Sequence, residues 1–120
     1  EHALGLAKAK GQAQSISCVN NLKQLGLAAR IYATDFDDRY PTNLAQLGPY
    51  LGNSKVFVCP ADAGRHPLVG TNWSALGPEN ITYEFLTPGA NEADIASQPA
   101  FRCPIHQNVA LGDGSVQKRD

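Results

Sequence analysis

Apolar residues in the first third of the chain recur with helical spacing. Cys18, Leu22, Leu25, Ala29 and Tyr32 fall on one face of a 3.6-residue period, and no proline interrupts the chain before Pro41. Residues 1–36 are therefore expected to form one helix, about 50 Å long at about 1.5 Å per residue. Ile16, Val19, Leu27 and Ile31 widen the apolar surface, so the half from Ser15 onward is expected to be covered by the rest of the domain. The half before it is different. Glu1 to Gln14 is mostly Ala, Gly, Lys and Gln, with Leu4 and Leu6 as its large apolar groups. Gly5 and Gly11 each cost about 1 kcal/mol relative to Ala in a helix interior. This segment should project or fray unless a partner covers it.

The helix is expected to end near Asp35–Asp38, because Asp is a poor interior helix former and Pro41 biases Tyr40 towards an extended backbone. A second, short helix is expected at 43–51. Asn43 can cap it, Gln46 stands at the capping-box position, and Leu44, Leu47 and Leu51 share a face. Pro49 keeps it short, and Gly52-Asn53 can stop it. Beyond it the pattern favours strands. Val56-Phe57-Val58-Cys59 is a β-type run stopped by Pro60, and Ile81, Tyr83 and Phe85 alternate with Thr82, Glu84 and Leu86. Val109-Ala110-Leu111 and Ser115-Val116-Gln117 flank Gly112-Asp113-Gly114, a hairpin signal. The stretches 61–80 and 87–100 have no regular pattern, and loops of that length usually carry function or are pinned. The expected architecture is a single α+β domain over 1–120. A helix at 1–36 packs on a head at 37–120, which holds the short helix and a small antiparallel sheet with long irregular loops.

Composition sharpens this division: all 8 prolines lie beyond residue 40. Hydrophobic content of 42% with 18% charged residues is ordinary for a globular chain. With 10 Lys+Arg against 11 Asp+Glu, the formal charge of −1 offers no surface for nucleic acid. No stretch approaches the roughly 20 apolar residues that span a bilayer, and no signal peptide is present. The chain contains no Met, so a fragment or a processed form is expected.

The cysteines carry the most chemical information. Phe57-Val58-Cys59-Pro60 and Phe101-Arg102-Cys103-Pro104 repeat the pattern Phe-x-Cys-Pro. One reading is a Cys59–Cys103 disulfide, worth about 4 kcal/mol in the loop-entropy picture and requiring an oxidising compartment. Cys18 is then an unpaired structural thiol buried in the helix stripe. A competing reading is a zinc site, since Cys103-x-x-His106 has ligand spacing, Cys59-x-x-Asp62 repeats it and His66 is near. Unconnected thiols are the third. Asn91, Glu92 and Asp94 offer hard oxygens suited to calcium, against the plainer reading of a solvated loop. The run Asp35, Asp37, Asp38 could draw a cation or simply solvate a helix end. His106 and Asp113 admit an acid–base pairing, but the stronger reading makes Asp113 a turn residue and His106 a solvated loop histidine. Trp73, Tyr50 and Tyr83 read as core or loop anchors. No nucleophile elbow, phosphate loop or His-Glu-x-x-His helix is present, so no catalytic residues are assigned and the chain is not expected to be an enzyme.

The run Ser17-Cys18-Val19-Asn20-Asn21-Leu22-Lys23-Gln24-Leu25-Gly26-Leu27-Ala28, followed by Tyr32-Ala33-x-Asp35 and Tyr40-Pro41, resembles prepilin-type proteins. These are the pseudopilin-like relatives of type II secretion and type IV pilus subunits. Leu4 to Lys10 resembles their segment after the membrane span, and Val58-Cys59-Pro60-Ala61-Asp62 their Cys-Pro-x-Asp strand end. Cys103-Pro104-x-His106 with Ala110-Leu111-Gly112-Asp113-Gly114-Ser115-Val116 resembles their terminal segment, with Ser115 where a second His is usual. Cys18, Asn21, Leu22, Lys23, Gln24, Gly26, Asp113 and Gly114 are the motif positions. The resemblance implies a pilin-like fold and a structural subunit anchored in the inner membrane by an upstream helix absent from these residues. Its domain would be periplasmic or part of an extracellular filament. Its partners would be other pilin-like subunits, met through the N-terminal helix, and the secretion or pilus machinery. Small residues at Ala3, Gly5, Ala7, Ala9, Gly11 and Ala13 suit close helix packing. Assembly requires no cofactor. The alternative is a periplasmic recognition module using loops 61–80 and 87–100, with calcium or zinc as the ions its side chains would take.

Overall fold

The computed structural model describes residues 2–119, with side chains from residue 4 onward. Glu1 and Asp120, the ends of the expected helix and domain, and the Ala3 side chain lie outside it. The first element, α1, runs unbroken over His2–Asp35, about 51 Å at about 1.5 Å per residue. It ends where the acidic run was expected to end it. Asp37 and Asp38 take positive φ values of 57° and 62°, a conformation Asp tolerates better than most residues, and the Asp38 N–H returns to the Ala33 carbonyl at 2.8 Å.

The short second helix is present in two pieces. A 3₁₀ turn at Leu44–Leu47 is capped by Asn43, whose side chain accepts from the Gln46 N–H. The Gln46 side chain in turn accepts from the Asn43 N–H, completing the capping box. It leads into α2, Gly48–Leu51, which stops at Gly52 with φ 68°. Leu44 and Leu47 are buried and Leu51 is partly so. Gly48 permits the next contact, because a Cβ there would stand 2.1 Å from the Trp73 ring. Trp73 lies edge-on to Phe57 with ring centroids 6.1 Å apart, the anchoring role expected of it.

Four short strands form one antiparallel sheet in the order β1 (Glu84–Phe85), β2 (Pro99–Arg102), β3 (Val109–Leu111) and β4 (Val116–Gln117). Phe85 pairs with Phe101, Arg102 with Val109, and Ala110 with Val116. The register shifts between Pro99 and Phe101, a bulge that accommodates Pro99 at the start of the strand. The β3–β4 hairpin is the one the Asp-Gly signal marks. Gly114 has φ 89°, and Asp113 Oδ1 accepts from the Ser115 N–H at 2.9 Å and the Ser115 hydroxyl at 2.6 Å. Only Glu84–Phe85 of the alternating run at 81–86 is strand.

The run at 56–59 is a correction. Ser54–Phe57 forms a 3₁₀ turn, because the Asn53 side chain caps it at the Lys55 N–H and Val56 and Phe57 both turn into the core. A second correction concerns α1. Cys18, Leu22, Leu25, Ala29 and Tyr32 are buried under the head as expected, but Ile16, Leu27 and Ile31 remain 56%, 59% and 45% exposed. They lie on the opposite side of the helix, so the head covers one face only.

Two contacts fix α1 on the hairpin. Gly26 meets the backbone of Gly114, where an added Cβ would stand 3.2 Å from the Gly114 Cα. Arg30 donates through Nη1 to the Asp113 carbonyl at 2.8 Å. Nearby, the buried Tyr40 hydroxyl donates to the Gly112 carbonyl at 2.6 Å. A β-branched side chain at Gly26 must push helix and hairpin apart, so Gly26→Val should lower stability by about 1–3 kcal/mol in urea unfolding. The Ser115 hydrogen bonds hold the Asp113 carboxyl below its usual pKa of 3.8. Their stabilisation is complete above that pH and disappears as pH falls through the lowered folded-state value. Thermal melts should show Asp113→Ala less stable than the parent at neutral pH, with the gap narrowing in strong acid.

Candidate functional site

Where α1 first meets the head, four side chains from separate parts of the chain converge. Cys18 comes from the helix, Cys59 from the segment just after the 3₁₀ turn at 54–57, and Cys103 and His106 from the turn after β2. Their ligand atoms all lie within 4.8 Å of one another. His106 Nδ1 is 3.3 Å from the Cys59 sulfur and 3.8 Å from that of Cys103. The three cysteines are fully buried and the imidazole is half-buried.

The two Phe-x-Cys-Pro copies explain how the sulfurs are aimed. In each, the aromatic residue is buried in the core and the cysteine follows two residues later. The proline then fixes φ and ends any further pairing. The chain doubles back after each Cys-Pro, with the Asp62 N–H on the Cys59 carbonyl and the Gln107 N–H on the Cys103 carbonyl, both at 2.9 Å. That reversal turns the Ala61 amide onto the Cys59 sulfur and the Ile105 and His106 amides onto the Cys103 sulfur, the last at 3.4 Å. Amides aimed at sulfur favour thiolate over thiol.

The thiols share protons unequally. Hydrogen bonds from Cys18 and then Cys59 pull Cys103 well below the usual thiol range, assisted by the backbone amides and against its burial. The contact with Cys103 pushes Cys18 up to about 11, and contacts with Cys103 and then Cys18 push Cys59 above the usual thiol range. Three sulfurs and an imidazole packed this closely, with at least one sulfur favouring the anion, can bind a metal ion.

The expected pairing of Cys59 with Cys103 is therefore only part of the arrangement. All three thiols are free, and Cys18, expected to stand apart, is a full member of the cluster. Of the expected metal ligands, His106 takes part and is not the solvated loop residue its position implied. Asp62 and His66 do not take part. Asp62 accepts from the Thr82 hydroxyl at 2.7 Å and from Arg65 at 3.1 Å. His66 is exposed, with its N–H on the Glu79 carbonyl at 3.0 Å. Among the described residues no other group of three or more His, Cys, Asp or Glu side chains is brought together in this way. The Asn91 side chain caps its own turn at the Ala93 N–H, Glu92 lies 4.0 Å from Arg30, and Asp35 accepts from the Tyr50 hydroxyl. Sequence reasoning missed Cys18 because a cysteine in an apolar helical stripe looks the same whether it packs or ligates.

The remaining motif positions have distinct roles. Asn21 donates from Nδ2 to the Val58 carbonyl and the Tyr83 hydroxyl, both at 3.1 Å, pinning the segment that carries Cys59 against α1. Leu22 is in the core, Gly26 meets Gly114, and Lys23 and Gln24 face solvent. A scan against family models and searches of characterised proteins and solved structures find no match.

A second feature is the free part of α1. Residues 4–13 are all exposed, Leu4 and Leu6 at 77% and 72%, and contact with the head begins at Gln14 and Ser15. At about 100° per residue, Leu6, Ala9, Ala13, Ile16, Leu27 and Ile31 gather on the face opposite the buried stripe. Asn21→Ala should cost about 1–3 kcal/mol in chemical denaturation, since it strips two part-buried acceptors of their donor.

Proposed function

We propose that this chain is a pilin-like structural subunit that assembles with further copies through α1, and that it is not an enzyme. The observation that supports this most is the outer face of the helix. A stripe of apolar residues, interrupted by the exposed Asn20, Lys23 and Gln24, runs from Leu6 through Ile16 to Leu27 and Ile31, crossing from the projecting segment onto the part held by the head. The head covers the other face, so it leaves this stripe to a partner. Charge favours a second copy as that partner: Lys8 and Lys10 lie at the start of α1, and the exposed Asp35, Asp37 and Asp38 at its end. Small residues at Ala9 and Ala13 on that outer face let helices approach closely. In this reading an upstream apolar helix anchors the subunit in an inner membrane, and the head stands in the periplasm or in an extracellular filament. The cysteine–histidine cluster suits a soft divalent cation such as zinc; calcium prefers hard oxygens.

Photo-crosslinking in the full-length protein in its own cells tests the assembly. A benzophenone amino acid at Leu6 or Leu27 should give ladders of multiples of the subunit mass, while one at the exposed loop residue Val69 should not. Crosslinks from Val69 alone, to a protein of another mass, would favour a recognition module instead.

A further inference from the structure

We infer that Cys18, Cys59, Cys103 and His106 form a closed, structural zinc site that clamps the head onto α1. The inference rests on the choice of a soft cation made above and goes further, giving the ion a mechanical role. A tetrahedral zinc with bonds of about 2.3 Å to sulfur and about 2.0 Å to nitrogen has S···N edges of about 3.5 Å and S···S edges of about 3.8 Å. The two S···N separations, 3.3 and 3.8 Å, straddle that edge. All four ligand atoms fit within 4.8 Å, so each sulfur needs to move by little more than an ångström. A disulfide would use two of the sulfurs and strand the third beside an imidazole. A zinc ion uses all four groups.

The donor set also decides the role. Four protein ligands complete a tetrahedron and leave no position for water or substrate, the pattern of structural rather than catalytic zinc. Three thiolates around Zn²⁺ carry a net negative charge. The amides of Ala61, Ile105 and His106 already face the sulfurs of Cys59 and Cys103 and offset it. Binding releases the thiol protons to solvent and involves no electron transfer.

The ligands lie at three points spread over 18 to 106, and this spread gives the ion its leverage. The Cys59 segment leads into the irregular stretch 61–80, and the Cys103–His106 turn joins β2 to β3. Tying both to one helix residue fixes the docking of the sheet and of the long loop together. Four strands of two to four residues each give the head little rigidity of its own.

The full chain, purified without added reductant, should carry one zinc ion and three thiols that become reactive on denaturation. Removing the metal with a chelator and reductant should lower Tm by more than about 10 °C. Amide exchange should rise in α1 between Cys18 and Ala29, and zinc should restore both. Cobalt in place of zinc should give the absorption of a tetrahedral thiolate site. Cys18→Ser removes a core side chain and could fail to fold, so His106→Ala serves as the second variant. It truncates a half-exposed turn residue and should remain folded while binding zinc more than about tenfold more weakly. Stoichiometric zinc whose removal changes neither Tm nor exchange would overturn the clamp and leave the choice of ion standing. Substoichiometric zinc with a Cys59–Cys103 disulfide would overturn both.

Discussion

The one-sided attachment of a long helix to a small head governs this structure. Cys18, Leu22, Leu25, Ala29 and Tyr32 give α1 a buried stripe, and both the sheet and the α2 region pack against it. Everything in the head is short. Its strands are two to four residues long, and much of the remainder is 3₁₀ turn and loop. Such pieces do not hold a shape alone, because short strands and turns bury little surface per residue. The helix is the template on which they are ordered, and the fold depends on how firmly the head is fixed to it.

That fixing is concentrated at a few places along α1. At one end of the contact, Cys18 meets the two Cys-Pro turns, and Asn21 holds the Val58 carbonyl. In the middle Gly26 lets the hairpin approach to backbone distance. Arg30 then reaches the same hairpin through the Asp113 carbonyl. The run of residues from Cys18 to Arg30 thus has a physical meaning of its own. A small residue stands where two backbones touch, an amide where a turn needs a donor, and a thiol where other thiols converge. The same one-sidedness leaves the outer stripe uncovered, which connects the fold to the proposed assembly.

Much of this was legible in the sequence, for identifiable reasons. The buried stripe follows a 3.6-residue period over four turns, and the hairpin has glycines on both sides of Asp113, so local chemistry alone specifies both. The 3₁₀ turn at Ser54–Phe57 was not legible, because Val56-Phe57-Val58 has strand composition and only the Asn53 cap diverts it. The solvent-facing positions of Ile16, Leu27 and Ile31 were misread because an apolar residue on a helix does not say whether its neighbour belongs to the same chain. At the site, the Phe-x-Cys-Pro repeat pointed to Cys59 and Cys103, and the spacing to His106. Asp62 also had the right spacing, yet it turns to Thr82 and Arg65. Cys18 lies 41 residues before Cys59, and only the folded helix brings it to the others.

The central claim is that the head is clamped to the helix by a metal held on three sulfurs and one nitrogen. X-ray absorption at the zinc edge of the purified full chain tests it most directly. The account predicts a four-coordinate ion with three sulfur neighbours at about 2.3 Å and one imidazole nitrogen at about 2.0 Å. A first shell of oxygen and nitrogen alone, marking zinc bound elsewhere on the surface, would contradict it.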